Sequence, residues 1–448
     1  MELRTRKMLD GSFSLVGIIA IVLMFISLVI LLAPIFARGF GAFVFKGTVE
    51  HRKLMLDKFG RGNRAGIEAE VAEAAEARRP IYEMMDTFRN ELREMDYETR
   101  RQYRHQLGEL EELVDELFGP APGSSMPVLI RGQYGQTRWD RAQVKLKHIL
   151  FIEEYDYSDT SEMGRLVLRP RVEQFRGSSL EPLFGTLERD IEKVMRPRVT
   201  VYWRFLFDES YDAHFFGGIW PELLGTFYLA LGAMLFAVPL GVITAIYLAE
   251  YAGDSRFVSL LRTCISSLAG VPSIVFGLFG LAFFINTMRV SPSKSVMAGS
   301  LTLALLVLPT VIRASEEAIK AVPRSYKEGA MSLGAGKWRT VMTVILPAAL
   351  PGILTSIIIS LGRAAGETAP IIFTAAVSVG KPLAFWETLS QPTPALPWNI
   401  YNLATEHEAV DEIRHVQYGM VVTLVVLVLL LNLTAIILRA RISKKLRG

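Results

Sequence analysis

One cysteine, Cys264, stands in 448 residues, so no intrachain disulfide framework holds this chain. It heads an apolar segment, and the expectation is a buried thiol. The six histidines are scattered, and their spacing makes no metal set. His407-Glu408 begins like a zinc-protease motif, but Asp411 occupies the second histidine's place. Gly336-Lys337 looks like the end of a phosphate-binding loop. There, however, Trp338 stands where Ser or Thr is required, and Met331 where the first glycine belongs. The chain has no nucleotide-binding loop, no catalytic constellation and no metal motif, so it does not read as an enzyme by itself. Charge is missing too. No charged residue occurs between Asp10 and Arg38. The apolar run over residues 13–37 suffices to cross a bilayer, for which roughly 20 residues are needed. A secretory signal is the rival reading, because Arg4, Arg6 and Lys7 precede the run. Against it, signal cores span ~7–15 residues, and no clean small-x-small cleavage site follows.

Hydrophobic residues make up 51% of the chain, and they are clustered. The net charge of +4 comes from basic residues beside apolar segments, which points to a membrane surface and not to nucleic acid. Six spans are expected, over residues 13–37, 223–249, 258–285, 296–312, 347–373 and 418–438. Arg4, Arg6 and Lys7 flank the first, and Arg439, Arg441, Lys444, Lys445 and Arg447 follow the last. Both termini therefore read as cytoplasmic, which an even span count satisfies. The basic loop after the fourth span falls on the same side. The expected fold class is mainly α: a six-span polytopic membrane protein. Its parts are residues 1–37, an extracytoplasmic α+β insertion over 38–220, and a five-span core over 221–448 with a cytoplasmic loop at 313–347.

In the insertion, Met84, Phe88, Leu92 and Met95 recur at helical spacing, as do Leu107, Leu110, Val114 and Leu117. Gly119-Pro120-Ala121-Pro122-Gly123 is a break. Beyond it, residues 128–130 and 144–152 suggest short strands.

The segment over residues 316–347 is charged and rich in helix formers, and Pro323 is placed to start a short helix. Glu328-Gly329-Ala330 is followed by Gly334, Val344 and Leu346-Pro347. A short amphipathic helix here can seat in a partner's groove, Gly334 permits a left-handed exit, and Pro347 starts the next span. An ordinary basic loop is the plainer alternative.

Arg363 and Glu367 lie four apart in the fifth span, on one helix face. A charge at the bilayer centre costs ~2.5–3.5 kcal/mol on insertion scales, so such residues face a polar pathway or one another. Two readings stay open: a self-neutralising structural pair, or an arginine that meets an anion in transit. Arg313 follows Leu308-Pro309, where a kink is expected, and Glu316 and Glu317 are within reach of it. A snorkelling arginine is its alternative.

The loop register resembles the EAA loop of ABC importer permeases, with Gly329 in place of the first alanine. Gly362-Arg363-Ala364-Ala365-Gly366-Glu367-Thr368-Ala369-Pro370, with Phe373-Thr374-Ala375, resembles the fifth-span signature of the PstA family of phosphate transport permeases. Ala269-Gly270-Val271-Pro272-Ser273, continuing to Gly280, resembles that family's third span. The resemblance implies a type I ABC importer permease in a bacterial plasma membrane. It implies a PstC-like second permease, a PstB-like ATPase dimer and a PstS-like phosphate-binding protein as partners. ATP and Mg would sit on the ATPase, and no cofactor on this chain. Arg313, Arg363 and Glu367 would then match pathway positions. Glu328, Gly329, Ala330, Gly334, Leu346 and Pro347 would face the ATPase. A permease for sulfate or molybdate shares the loop, and a channel or secondary transporter would lack an ATPase partner. The loop over residues 377–415, with Trp386, Pro392 and Trp398, is either a docking surface or an aromatic belt.

Overall fold

The computed structural model describes residues 3–124, 129–156, 165–253, 255–407 and 410–447. The chain divides into two compact units, Phe43–Trp203 on one hand and Met1–Ala42 with Arg204–Gly448 on the other.

The larger unit is helical. Among the described residues, five helices are long and apolar enough to cross a membrane, and a sixth crossing results if one bent pair counts as a span. The first, Leu3–Gly39, is apolar on every side through its span and exposes those residues, as a helix bathed in lipid does. Its end is fastened. Arg38 donates to the Tyr418 hydroxyl at 2.8 Å, and a Cβ on Gly39 would come within 2.4 Å of Val422.

The second, fourth and fifth spans run over Trp220–Tyr251, Val296–Lys320 and Lys337–Gly366. They bury Leu229, Ala233, Leu303, Val307 and Ala364 in a shared core. Small residues set the spacing. A Cβ on Gly352 would lie 2.6 Å from that of Ala318, so fifth and fourth spans touch nearly backbone to backbone. The last helix, Val410–Arg447, closes the set, and its Arg439 donates to Thr355 Oγ1 at 2.8 Å.

Three expected boundaries are corrected. The third span is not one helix over 258–285. Arg256–Leu268 and Ser273–Thr287 meet at a bend of 101°. Pro272 has no N–H to continue the ladder and drives Val271 out of helical backbone, while Gly270 closes the turn on the Ser267 carbonyl. The fourth span does not stop at residue 312 but continues through Pro309 to Lys320. The fifth starts at Lys337, ten residues before Pro347, and ends at Gly366. A π-turn over Val341–Ile345 precedes Leu346–Gly366 and absorbs the missing Pro347 donor. Cys264 is exposed on its helix and is no buried thiol, because that helix buries only Val258.

The smaller unit is built on a helical hairpin, Arg64–Glu94 and Tyr97–Phe118. Asn63 and Asp96 cap the two N-termini through Gly66 N and Thr99 N. Phe88, Leu92, Leu107, Leu110, Val114 and Leu117 bury against Phe175, Leu183 and Leu187. The expected strand over 144–152 is corrected: Trp139–Leu150 is a helix, and the strand begins at Phe151. Ala142, Leu146, Ile149 and Leu150 fall at helical spacing, and that period wins over the local β propensity. Val128 lies outside the described residues, and Ile130 opens a helical turn. Two antiparallel ladders complete the unit, Val44–Gly47 with Arg198–Val201, and Phe151–Asp156 with Arg165–Pro170.

Candidate translocation pathway and coupling loop

The fifth span ends where its charges stand. Gly366 closes the helix, and Glu367 is already extended, with φ −76° and ψ 131°. A proline three residues on, Pro370, sits in the first turn of a new short helix, Ala369–Thr374. Arg363 and Glu367 therefore do not share a helix face. They meet across the helix end, with Arg363 Nε 3.2 Å from Glu367 Oε1. The cation in the last turn also complements the helix dipole. The Arg363 side chain is 41% exposed although its neighbours Ala364 and Ala365 are buried, and among the described residues Glu367 is its one hydrogen-bond partner.

Two stretches far apart in sequence pack together at this break. A Cβ on Gly277 would meet the Ala369 carbonyl and Pro370 Cα at 3.0 Å, and one on Gly280 would reach Thr302 Oγ1 at 2.2 Å. The glycines of Ser273–Gly280 thus let that helix lie directly on Ala369–Thr374. On the other side, a Cβ on Gly362 would lie 3.5 Å from the Asn432 amide of the last helix, whose Oδ1 has no hydrogen-bond partner among the described residues. Ser360, fully buried one turn before Arg363, likewise has a hydroxyl with no partner among the described residues.

Arg313 is exposed, and its guanidinium donates to Ser266 Oγ. It does not pair with Glu316, as the sequence allowed. Glu316 is buried and held instead by Arg262 at 3.1 Å and Lys320 at 2.6 Å. Arg262 also donates to the Leu248 carbonyl at 2.9 Å, tying the second, third and fourth spans at one end. Among the described residues, no hydrogen bond or ion pair joins Arg313 to Arg363 or Glu367. Arg262 and Asn432 were missed by sequence reasoning. A lone arginine inside an apolar helix was the available signal for the first, and for Asn432 its place in an otherwise apolar run.

In the loop, Arg324–Ser332 is a helix that begins directly after Pro323. Gly334 has φ +83°, the left-handed exit that its residue type permits. Only Ala330 of this helix is buried. Glu328 and Gly329 are exposed, and Gly329 has open space where a Cβ would be. Tyr326, Met331 and Leu333 are exposed at 55%, 50% and 90%, an apolar set left uncovered among the described residues. The helix is fastened from behind: Lys327 Nζ lies 2.5 Å from Glu250 Oε2 at the end of the second span. Leu346 and Pro347 are half-buried inside the fifth span and so do not share the exposed face of Glu328.

At the opposite end, Glu222 is fully buried, with His214 Nε2 at 2.9 Å and Asn399 Nδ2 at 3.1 Å. These bonds fix the helix Leu396–Thr405, on which Trp398 stacks against Tyr401 at 5.7 Å. Trp386 stands out at 74% exposure.

Residues 237–448 match the family described as binding-protein-dependent transport system inner membrane component. The chain is 36% identical over 240 residues to the probable ABC transporter permease protein YqgI of Bacillus subtilis (strain 168), covering 51% of this chain and 80% of that one. It is 36% identical over 233 residues to the phosphate transport system permease protein PstA 1 of Mycobacterium tuberculosis (strain ATCC 25618 / H37Rv), covering 52% and 73%. Against the PstA of Yersinia pestis, identity is 37% over 226 residues, covering 50% and 73%. Among solved structures, an inward-facing MetNI methionine ABC transporter chain aligns with a TM-score of 0.39 at 18% identity, over 50% of this chain and 94% of that one. The chain is a multi-pass permease, and it belongs to the family of binding-protein-dependent transport system inner membrane components, with PstA-type permeases among its relatives.

Proposed function

We propose that this chain is one permease subunit of an ATP-driven phosphate importer. The observation that carries the reading is Arg363, a partly exposed guanidinium at the broken end of an apolar span. The relatives named as phosphate transport permeases supply its substrate. A guanidinium presents donors in a fixed fork that matches phosphate oxygens. Glu367 holds that fork on one side, and an arriving anion competes for it. Arg313, on its serine, is the second cation of the pathway.

The motor is a separate PstB-like ATPase that carries ATP and Mg, while this chain binds no cofactor. Tyr326 and Met331 on the helix Arg324–Ser332, with Leu333 at its end, suit a groove in that partner. Motion of this helix passes to the second span through Lys327 and Glu250, and the spans alternate between outward and inward access. A PstC-like permease completes the pathway, and a PstS-like protein delivers phosphate at the end bearing Trp386 and the helix Leu396–Thr405. With the bent pair counted as one crossing, both termini lie in the cytoplasm and residues 43–203 lie outside.

The test is uptake of labelled phosphate, with sulfate as control, in cells lacking their own high-affinity system and supplied with this chain and its partner subunits. ATP-dependent phosphate entry that Arg363→Gln removes, with the variant still in the membrane, supports the proposal. Transport of sulfate or molybdate in place of phosphate would move the substrate assignment to another oxyanion. Entry without ATP would reject the importer class.

A further inference from the structure

On the smaller unit, the tip of the helical hairpin holds a cleft of about 470 Å³ lined by Arg89, Arg93, Arg100 and Arg104, with Leu92, Leu107, Gly108 and Glu111. Its cations differ in state. Arg89 is occupied, bonded to Asp86 at 2.5 Å and Glu111 at 2.6 Å. Arg100 donates to the carbonyls of Arg93 and Met95 at 2.9 and 2.6 Å, which positions it but leaves its charge uncompensated. Among the described residues, no carboxylate pairs with Arg93, Arg100 or Arg104. Three guanidinium charges therefore converge on one concavity whose single carboxylate is already committed to Arg89.

Gly108 is the second observation. It lies inside the helix Tyr97–Phe118, where glycine weakens the helix relative to alanine. Nothing lies within 4 Å of the Cβ it lacks, so packing against the protein does not require glycine here. Its missing side chain leaves the cleft floor open at that point. Leu92 and Leu107 beside it expose only their edges, which gives the floor an apolar strip between the charged walls.

We propose that this cleft binds a small organic phosphate, its phosphoryl oxygens held by Arg93, Arg100 and Arg104 and its carbon part lying over Gly108 and the two leucines. Multiple guanidinium forks suit a group with several equivalent oxygens. The apolar floor and the volume suit a molecule larger than orthophosphate. The site is in the smaller unit and does not depend on the transport reading.

The experiment is calorimetric titration of the full chain, in phosphatidylcholine nanodiscs at about 150 mM salt, where exposed charges more than ~8 Å apart are screened. The probe is glycerol 3-phosphate. The expected result is saturable binding of one molecule per chain. Arg93→Gln combined with Arg104→Gln weakens it at least tenfold, Gly108→Leu removes it, and Arg363→Gln leaves it unchanged. Thermal unfolding checks that each variant is folded. Absence of saturable binding overturns the proposal, as does unchanged affinity in the folded double variant or in folded Gly108→Leu. Equal competition by sulfate overturns the phosphate class. Loss of binding in Arg363→Gln overturns the location.

Discussion

Lys327 and Glu250 meet at 2.5 Å, and this contact fastens the exposed loop helix to the end of the second span. Glu250 lies in a π-turn over Tyr247–Tyr251, a local widening that presents its carboxylate toward the loop. The side chains are 36% and 10% exposed, so the pair is partly shielded from solvent. If the loop transmits motion, cutting this link should separate ATP hydrolysis from transport. Glu250→Gln or Lys327→Gln is expected to lower phosphate transported per ATP several-fold in proteoliposomes, with hydrolysis retained. The charge swap Glu250→Lys with Lys327→Glu should restore much of it. Equal loss of both activities in every variant would show that the contact only holds the fold.

Arg363 is partly exposed at the broken span end. Removing its charge by Arg363→Gln should reduce phosphate uptake about 10- to 100-fold, the range implied by the ~1.5–3 kcal/mol of a hydrogen bond to a charged group. Arg363→Lys keeps the charge but not the fork, and should recover only part of the rate. Full activity in the lysine variant would mean that a point charge suffices.

The legible part of this molecule was the part governed by periodicity and by single-residue backbone constraints. The apolar runs gave the five long helices and the region of the bent pair, Pro323 and Gly334 bounded the loop helix, and Phe88 to Leu117 gave the hairpin core. What was not legible depends on tertiary context. A single Gly-x-Pro step turns the third span through 101°, whereas Pro309 and Pro347 pass inside continuous helices. Proline alone does not say which, because a π-turn or neighbouring helices can absorb its missing donor. The partner of Glu316 was also hidden, since Arg262 lies 54 residues away.

Gly225 sits against the loop that follows the fifth span. A Cβ there would lie 2.0 Å from the Pro394 carbonyl oxygen, a backbone atom that no rotamer change can move. Gly225→Ala should destabilise the larger unit by about 1–3 kcal/mol or more, as overpacking does. The expected readout is a loss of monodisperse protein on size exclusion after detergent extraction. At Gly185, inside the helix Glu181–Met195 with nothing within 4 Å, the same change should instead stabilise the smaller unit, by up to about 1 kcal/mol.

Residues 43–203 are proposed to lie outside the cell, and the lone cysteine makes this measurable. In a Cys264→Ser background, Glu91→Cys or Glu188→Cys should react with a membrane-impermeant maleimide in intact cells. Glu328→Cys should react only after the membrane is opened. The reverse pattern would invert the topology and displace the ATPase from the loop helix.

His51 supplies a pH dependence. It is buried in the smaller unit, with its ring edge-on to Phe45 at 5.1 Å. Burial, first, and then the charges of Arg138 and Arg52 push its pKa down from 6.5 to about 3. The folded unit therefore holds His51 neutral, while the unfolded chain takes up a proton below about pH 6.5. Between about pH 6.5 and 3 the unfolded state binds more protons. Stability should thus be fully present above pH 6.5 and fall as the pH drops, by at most about 1.4 kcal/mol per pH unit from this group. Hydrogen exchange over residues 43–203, corrected for the intrinsic rate, should show protection lost between pH 6.5 and 4.5. His51→Gln cannot take up that proton, so its overall stability is lower but its slope with pH should be flatter. An unchanged slope in that variant would assign the acid sensitivity to other groups.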